Sequence, residues 1–386
     1  MLDGLINGIF NGISIGAVLL IVALGLAIVF GLMGVINLAH GELMMLGAYT
    51  TYVVQNGFKA LGDNLQDFYI WLALPLAFIV AALVGLLLER TVIRLLYGRP
   101  LETLLATWGV SLILQQFVRS VSGSMIIGIL AVCLLLFGGR AAIDRFANLG
   151  PRQSLAKFVV LLLSLGIGIT LGRSLGDDMA KPWFSARNVD VTAPSWLQSS
   201  IGITDTISFP AARIFIIVLT VVCLVGTFWF LNKSAWGLRI RSVTQNREMS
   251  ACLGIPTKRV DALTFALGSG LAGVAGCAVT LLGSVGPNLG SNYIVDAFMV
   301  VVVGGVGKLV GSIVAALIIG IVSYILGSGT LVLMLPSSEA LQPLIDTANF
   351  FATTSMAKVL VFALIIAFLQ VKPAGLFPQK GRSVEV

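Results

Sequence analysis

Three polar side chains lie close together near the N-terminus, in the stretch GVINLAHGELMMLGAY at 34–49. Asn37, His40 and Glu42 stand between apolar runs, where polar groups are costly unless they face a cavity or a partner. The glycines of the stretch would let a helix break there, which leaves backbone N–H and C=O groups available to a polar solute. We therefore expect these three side chains to line a solute route. A hydrogen-bond cluster between packed helices is the alternative.

A second set of polar side chains recurs every four residues in LETLLATWGVSLILQQFV at 101–118. At about 3.6 residues per turn they share one face of a helix. Neutral hydroxyl and amide groups suit an uncharged polar solute better than an ion. We expect Thr107 and Gln115 to belong to the same route, together with Asp296 of a later apolar run. Hydrogen bonding between helices is again the alternative. The members of the stripe are Thr103, Thr107, Ser111 and Gln115.

The largest basic loop, 233–259, has a different character. It holds six basic residues against a single acid, Glu248. Gly254 and Pro256 follow, and both residue types are typical of the end of a helix. The pattern predicts a short helix through 243–253 on the cytoplasmic surface, where a soluble protein could bind it. A loop that only anchors to lipid head groups is the alternative.

The sequence argues against ATP, metal or enzyme chemistry within this chain. GGVGKL at 304–309 resembles part of a phosphate-binding loop, but Val302 and Leu309 stand where that loop needs Gly and Ser or Thr. The single histidine excludes a multi-histidine metal site, and four cysteines without a CxxC pair are typical of free thiols. We expect no cofactor on this chain.

The composition identifies the solvent in which these groups must work. Of 386 residues, 58% are hydrophobic and only 11% are charged, and the mean hydropathy is +1.01. A soluble domain carries about 25% charged residues. The lipid bilayer is therefore the expected solvent, which excludes most soluble enzymes and DNA-binding modules. The net charge of +7 indicates cytoplasmic loops rather than a nucleic-acid partner.

Apolar runs recur along the whole chain and predict an all-α polytopic membrane protein of about 9–11 membrane segments. No Lys or Arg precedes Lys59, so the first run lacks the basic start of a signal peptide and should be a retained helix. Several runs are short or rich in glycine, so some segments should be broken or re-entrant, 290–306 first among them. The runs are 5–30, 37–56, 70–88, 101–121, 125–138, 157–172, 211–231, 260–282, 290–306, 309–327 and 357–371.

The basic residues predict the orientation of these segments. With the N-terminus outside, 17 of the 24 Lys and Arg residues fall in inside loops. The chain should therefore be N-out and C-in. Two polar stretches, 173–210 and 328–356, are then expected outside, either as a surface for a soluble partner or as passive connectors.

Together these stretches resemble the LivH-type permeases of ABC importers. The resemblance is carried by INLAHGELMMLGAY, by REMSACLGIP in the basic loop, by VDAFMVVVVGGVG at 295–307 and by KPAGLFPQKGR at 372–382. Within that family, LETLLATWGVSLILQQ and NVDVTAPSW look most like the UrtB-type permeases of urea importers. Branched-chain amino acid permeases share most of these blocks.

The resemblance implies partners and a location. The partners are a second homologous permease subunit, two cytoplasmic ATPase subunits that bind the ATP, and an extracytoplasmic solute-binding protein. The location is a bacterial plasma (inner) membrane, which a multi-pass chain spans.

The resemblance also implies a coupling role for the basic loop. Glu248 and Gly254 match the first and last positions of the family's EAAxxxG-like motif, while Met249 and Ser250 replace its two alanines. A small helix there would dock into a groove of the ATPase and transmit its closure. The residues expected to take part are Arg247, Glu248, Gly254 and Pro256.

One segment departs from the family pattern. Residues 123–186 look inserted, as two apolar runs joined by the basic stretch GGRAAIDRFANLGPRQSLAK. A hairpin that turns on the inside would leave the later topology unchanged. The rest of 1–386 then forms a single transmembrane permease domain.

The sequence thus predicts a permease subunit for urea or a similar short amide. A branched-chain amino acid permease is the alternative, and a stand-alone channel or secondary transporter is the alternative of another class. A zwitterion needs partners for both of its charges, whereas Glu42 and Asp296 are the main charges within the apolar runs. That scarcity favours a neutral solute.

Overall fold

A computed structural model describes residues 2–125, scattered positions between 127 and 170, and residues 187–204, 207–329 and 353–377. In these ranges the chain is an all-α polytopic membrane protein with one small hairpin, as the sequence predicts. The helices are α1 (Leu2–Met33), α2 (His40–Leu61), α3 (Tyr69–Thr91), α4 (Pro100–Ser120), α5 (Ser195–Gln198), α6 (Ala211–Lys233), α7 (Ala235–Gln245), α8 (Arg247–Cys252), α9 (Thr257–Thr280), α10 (Leu289–Gly304), α11 (Leu309–Gly327) and α12 (Thr354–Val371). Two 3-10 turns, Asp63–Phe68 and Ile93–Leu96, and the antiparallel strands β1 (Ser200–Thr204) and β2 (Ile207–Pro210) complete the elements.

Six helices of the described ranges are long and apolar enough to cross a membrane, judged by length and composition. Two more, α10 and α12, are apolar but shorter. The re-entrant course of α10 stays a prediction, and so does the N-out, C-in orientation. The six are Ile6–Met33, Gln66–Thr91, Pro100–Ser120, Ala211–Lys233, Thr257–Thr280 and Leu309–Gly327.

The chain divides into two compact units. Residues 1–112 and 189–386 form the first unit, and residues 113–188 form the second. Most of the expected insert, 123–186, and most of the polar stretch 328–356 lie outside the described residues. The inserted hairpin and its inside turn therefore stay predictions.

Small residues bring the central helices of the first unit into close contact. In α1 and α9, 83% of the most apolar window is buried, against 22–33% in the other four candidate spans. A Cβ on Gly47 of α2 would overlap the carbonyl of Gly273, and one on Gly268 would overlap the backbone of Gly25. Lipid offers no hydrophobic drive for helices to associate, so this close backbone packing is what holds α1, α2 and α9 together.

Residues 189–198 are bound to the ends of α2 and α3. The side chains of Gln55 and Tyr69 both donate to the carbonyl oxygen of Thr192, at 2.6 and 3.0 Å. Asp67 accepts from the backbone N–H of Ser195 at 2.7 Å and from its hydroxyl. This part of the polar stretch 173–210 is thus a fixed part of the fold, whatever partner it meets.

Candidate functional site

The first polar stretch forms a break between α1 and α2. Residues 34–39, here called the α1–α2 break, are not helical. Gly34 has φ +68, a conformation that ends α1 and that favours glycine. Asn37 Oδ1 accepts from the backbone N–H of Ala39 at 3.1 Å, and the N–H of Leu38 donates to Thr107 Oγ1 at 3.2 Å. No side chain caps the start of α2 at Ala39, and the N–H groups of His40 and Glu42 bond to backbone oxygens of the break, Asn37 O and Ala39 O, at 3.4 and 3.1 Å.

The three polar side chains of this stretch are all buried. Asn37, His40 and Glu42 are each at most 1% exposed. Ser111 on α4 donates to Glu42 Oε1 at 3.0 Å, and His40 Nε2 lies 3.1 Å from the carbonyl oxygen of Val22 on α1. The break therefore joins α1, α2 and α4 through polar contacts.

Two buried polar atoms at this place have no hydrogen-bond partner among the described residues. They are Asn37 Nδ2 and His40 Nδ1. With the proton on His40 Nε2, where Val22 can accept it, Nδ1 is an acceptor, while Asn37 Nδ2 is a donor. An unpaired buried polar group costs about 1–3 kcal/mol, so such groups call for an explanation. A polar solute that passes this point would supply the missing partners.

Backbone contacts enclose the site closely. A Cβ on Gly41 would overlap the carbonyl of Gly290 at the start of α10, and one on Gly290 would come within 2.8 Å of Glu42 Cδ. A Cβ on Gly25 of α1 would lie 2.9 Å from His40 Cε1. The positions of His40 and Glu42 are thus set by neighbouring backbone rather than by flexible side chains.

The predicted polar face of α4 is confirmed for its first three members. Thr103, Thr107 and Ser111 are all buried, and the last two reach the α1–α2 break and Glu42 through the bonds given above. Gln115 is half-buried and belongs to the unit of residues 113–188. Its part in a solute route stays a prediction.

Asp296 is held by a basic partner on another helix. Its carboxylate lies 3.1 Å from Lys358 Nζ on α12, and the same ammonium donates to the carbonyl oxygen of Asn292 at 3.4 Å. Among the described residues, Asp296 makes no hydrogen bond to the α1–α2 break or to α4. The part of Asp296 in a solute route therefore stays a prediction.

The basic loop does not form the single helix predicted through 243–253. It forms α7 and α8, separated by Asn246 in an extended conformation with φ −152 and ψ 104. Asn246 Oδ1 accepts from the backbone N–H of Met249 at 2.9 Å and so caps α8. Asparagine favours this position because its side chain competes for backbone donors. This capping ability is the signal that the sequence prediction missed.

The predicted end of this helix at Gly254 is confirmed. Gly254 has φ +80, its N–H bonds to Ala251 O at 3.0 Å, and the N–H of Ile255 bonds to Ser250 O at 3.1 Å. These two bonds form a Schellman motif, which satisfies the last carbonyls of α8. Pro256 follows, and α9 begins at Thr257.

Most of α8 is open to its surroundings. Glu248 is exposed, and so are Met249 (59%) and Leu253 (76%), while Ser250 is buried. Arg247 differs from these residues because its guanidinium lies 2.6 Å from the buried carboxylate of Asp261. Arg247 therefore holds α8 to the rest of the chain, which the sequence analysis did not foresee.

Arg247 belongs to a group of charged and aromatic side chains that we call the paired-charge cluster. Its guanidinium stacks over the Tyr97 ring at 4.9 Å, and the Tyr97 hydroxyl lies 3.5 Å from the buried carboxylate of Glu89. Burial, with the nearby Asp261 and Glu89 carboxylates, raises the pKa of Tyr97, so its hydroxyl stays protonated. Arg94 pairs with Glu89 at 3.2 Å. The members of the cluster are Glu89, Arg94, Tyr97, Arg247 and Asp261.

Residues 8–369 match the protein family described as "Branched-chain amino acid transport system / permease component". The "High-affinity branched-chain amino acid transport system permease protein LivH" of Escherichia coli (strain K12) is 25% identical over 369 residues, which are 95% of this chain and 93% of that protein. The high-affinity branched-chain amino acid transport system permease protein BraD of Pseudomonas aeruginosa is 25% identical over 313 residues. These residues are 81% of this chain and 82% of BraD. A "Probable branched-chain amino acid transport permease protein LivH" of Methanocaldococcus jannaschii is 24% identical over 314 residues, which are 80% of this chain and 78% of that protein. No solved structure matches the chain.

Proposed function

The chain belongs to the family of permease components of branched-chain amino acid transport systems, and from this premise we propose that it forms the membrane route for a branched-chain amino acid. The relatives' names support this substrate better than the urea or short amide that the sequence analysis favoured. Family membership also favours a subunit of an ABC-type importer over a stand-alone channel or secondary transporter.

The α1–α2 break is the observation that carries this proposal. An amino acid presents an ammonium group and a carboxylate only a few atoms apart. A carboxyl acceptor, Glu42, and a buried amide donor, Asn37, are five residues apart there, and the uncapped start of α2 lies between them. The positive end of a helix dipole favours a carboxylate, and Glu42 can accept from an ammonium group. The scarcity of charges that favoured a neutral solute is thus offset by the proximity of these groups.

The remaining parts of the importer lie on other chains. We infer a second permease subunit, two cytoplasmic ATPase subunits that bind ATP, and an extracytoplasmic solute-binding protein, at a bacterial inner membrane. The exposed surface of α8 supports the ATPase contact, because an apolar surface beside a capped helix end suits a protein partner better than water. Met249 and Leu253 are the apolar residues of that surface, and the exposed Glu248 adds a charge beside them.

Transport by the assembled importer in proteoliposomes tests the proposal. Labelled leucine and labelled urea would be offered separately, with and without ATP. We expect ATP-dependent leucine uptake, reduced at least about tenfold by Glu42→Gln, which corresponds to about 1.4 kcal/mol. The matched control is Glu102→Gln on α4, since Glu102 is 55% exposed.

Three outcomes would contradict the proposal. Uptake of urea without uptake of leucine would favour the earlier prediction of a neutral solute. Uptake without ATP would favour a carrier or channel. An unchanged leucine uptake in Glu42→Gln would remove Glu42 from the route.

A further inference from the structure

The paired-charge cluster lies between the exposed helix α8 and the α1–α2 break. On one side, Arg247 is the first residue of α8. On the other side, Tyr97 packs against a buried hydrophobic cluster that includes Val35, within the break, and Phe265 on α9. One aromatic ring therefore touches a residue of the outer helix and the apolar group beside the candidate solute route.

The contacts around Tyr97 fix the ring from several directions. The Arg247 guanidinium covers one face at 4.9 Å, and the hydroxyl points to Glu89 at 3.5 Å. Glu89 is fully buried near the end of α3 and is paired with Arg94. A side chain that is held at its face, its tip and its apolar edge moves with its neighbours rather than independently.

The charges of the cluster are paired, which sets it apart from a binding surface. Each of its buried carboxylates has an arginine, Asp261 at 2.6 Å and Glu89 at 3.2 Å. Arg94 also donates to the carbonyl oxygen of Lys258 in the first turn of α9, at 3.4 Å. Because its hydrogen-bonding groups are occupied, the cluster suits a mechanical link between elements better than a ligand site.

The helices tied by the cluster also border the solute route. Close packing of Gly85 against Ser269 joins α3 to α9. Gly268 on α9 packs against Gly25 on α1, which itself touches His40. A displacement of α8 that moves Tyr97 and Asp261 would therefore shift helices that enclose His40.

We propose that Arg247 and Tyr97 are positioning residues that transmit movement of α8 to the α1–α2 break, and so couple ATP hydrolysis to opening of the route. The inference rests on the proposed function. It separates two roles within α8: the exposed Glu248, Met249 and Leu253 meet the ATPase, while Arg247 faces the chain's own helices.

The test uses the complete importer and two variants, Arg247→Gln and Tyr97→Leu. Glutamine keeps most of the arginine's length without its charge, and leucine fills the apolar cluster without an aromatic face. We expect both variants to keep the ATPase subunits bound and to hydrolyse ATP near the wild-type rate. Leucine transported per ATP hydrolysed should fall at least about fivefold. Tyr97→Phe, which retains the ring, should restore most of that ratio.

A matched control lies in the same loop. Arg239 stacks over the Trp236 ring at 4.7 Å, on the exposed side of α7. Arg239→Gln removes a contact of the same kind that does not involve the paired-charge cluster. The transport ratio of this variant should stay at the wild-type value.

The outcomes distinguish this link from the function on which it rests. Wild-type ratios in Arg247→Gln and Tyr97→Leu would overturn the link alone. A variant that loses the ATPase subunits or precipitates would show a docking or folding role, and would also overturn it. Failure of the wild-type chain to bind any ATPase would overturn the proposed function together with the link.

Discussion

The α1–α2 break and the paired-charge cluster both bury polar side chains, yet they satisfy them differently. In the cluster, each buried carboxylate meets an arginine, as Asp261 meets Arg247. In the break, Asn37 Nδ2 and His40 Nδ1 are buried without a hydrogen-bond partner in the described ranges. Burial alone therefore does not identify a solute-binding residue. The unpaired hydrogen-bonding atoms of the break are what distinguish it from the cluster, and they support the proposed solute route, since functional sites are where local rules are commonly broken.

The two regions also differ in what holds them in place. Backbone contacts at glycines enclose the break, whereas side-chain ion pairs and an aromatic ring hold the cluster. The glycines around the break should therefore tolerate no added volume, and the cluster should tolerate no lost charge. The following variants test that contrast.

The largest effect is expected where a glycine supports the helices around the break. A Cβ on Gly47 of α2 would overlap the backbone of Gly273, while one on Gly57 of the same helix meets open space. Gly47→Ala should lower the free energy of unfolding by about 1–3 kcal/mol through overpacking. Gly57→Ala should raise it by about 0.4–1 kcal/mol. Thermal unfolding in detergent measures both, and equal stabilities would contradict close packing at Gly47.

The next effect concerns the charges of the cluster. Arg247→Met leaves Asp261 buried without its cation. Removing one partner of a buried pair costs about 3–5 kcal/mol, and because Arg247 is half-exposed we expect about 2 kcal/mol. The double variant Arg247→Met/Asp261→Leu should be more stable than the single one, since no buried charge is left unpaired. Unfolding midpoints of the two variants check this order of stability. A double variant less stable than Arg247→Met would show that the loss of stability does not come from the broken ion pair.

A substitution in the break should affect transport more than stability. Asn37→Leu removes the unpaired Nδ2 and also the bond to the N–H of Ala39, so these two effects on stability oppose each other. We expect the unfolding midpoint to change little while leucine uptake falls about tenfold. The control is Asn232→Leu at the end of α6, where Asn232 is exposed. Normal uptake in Asn37→Leu would assign Asn37 to helix packing.

Local patterns predicted much of this molecule because they depend on neighbours along the chain. The four-residue spacing of Thr103, Thr107 and Ser111 predicted one shared polar face of a helix, and Gly254 predicted the end of a helix. Asn246 was missed because an asparagine inside a helical pattern is read as ordinary until its capping bond is seen. Its extended conformation divides one predicted helix into two.

Contacts between distant residues could not be predicted, since periodicity carries no information about them. Arg247 and Asp261 are 14 residues apart, and Asp296 and Lys358 are 62 apart. The sequence therefore assigned Arg247 to the ATPase and Asp296 to the route without their partners. The relatives' names support a branched-chain amino acid better than the neutral solute that the sequence favoured. Counting charges within apolar runs left out the helix end that lies beside Glu42 and Asn37.

The smallest effect is expected at the end of α8, where only the backbone is at stake. Gly254 has φ +80, and a Cβ there meets no atom within 4 Å, so a substitution changes strain rather than packing. Alanine in this conformation costs about 1 kcal/mol, while asparagine adopts it more easily. If the ATPase binds α8 in its capped form, Gly254→Ala should weaken ATPase binding about fivefold. Gly254→Asn should bind nearly as the wild-type chain does. Gly62→Ala imposes at least as much strain at the other end of α2, because φ +129 with ψ 150 is a conformation essentially restricted to glycine, and space is also open there. That control should leave ATPase binding unchanged. Affinity measured with the purified ATPase subunits decides between two accounts. A loss of affinity confined to Gly254→Ala would show that ATPase binding depends on the capped conformation of α8. Equal affinities of all variants would show that binding depends on side chains that the cap does not orient.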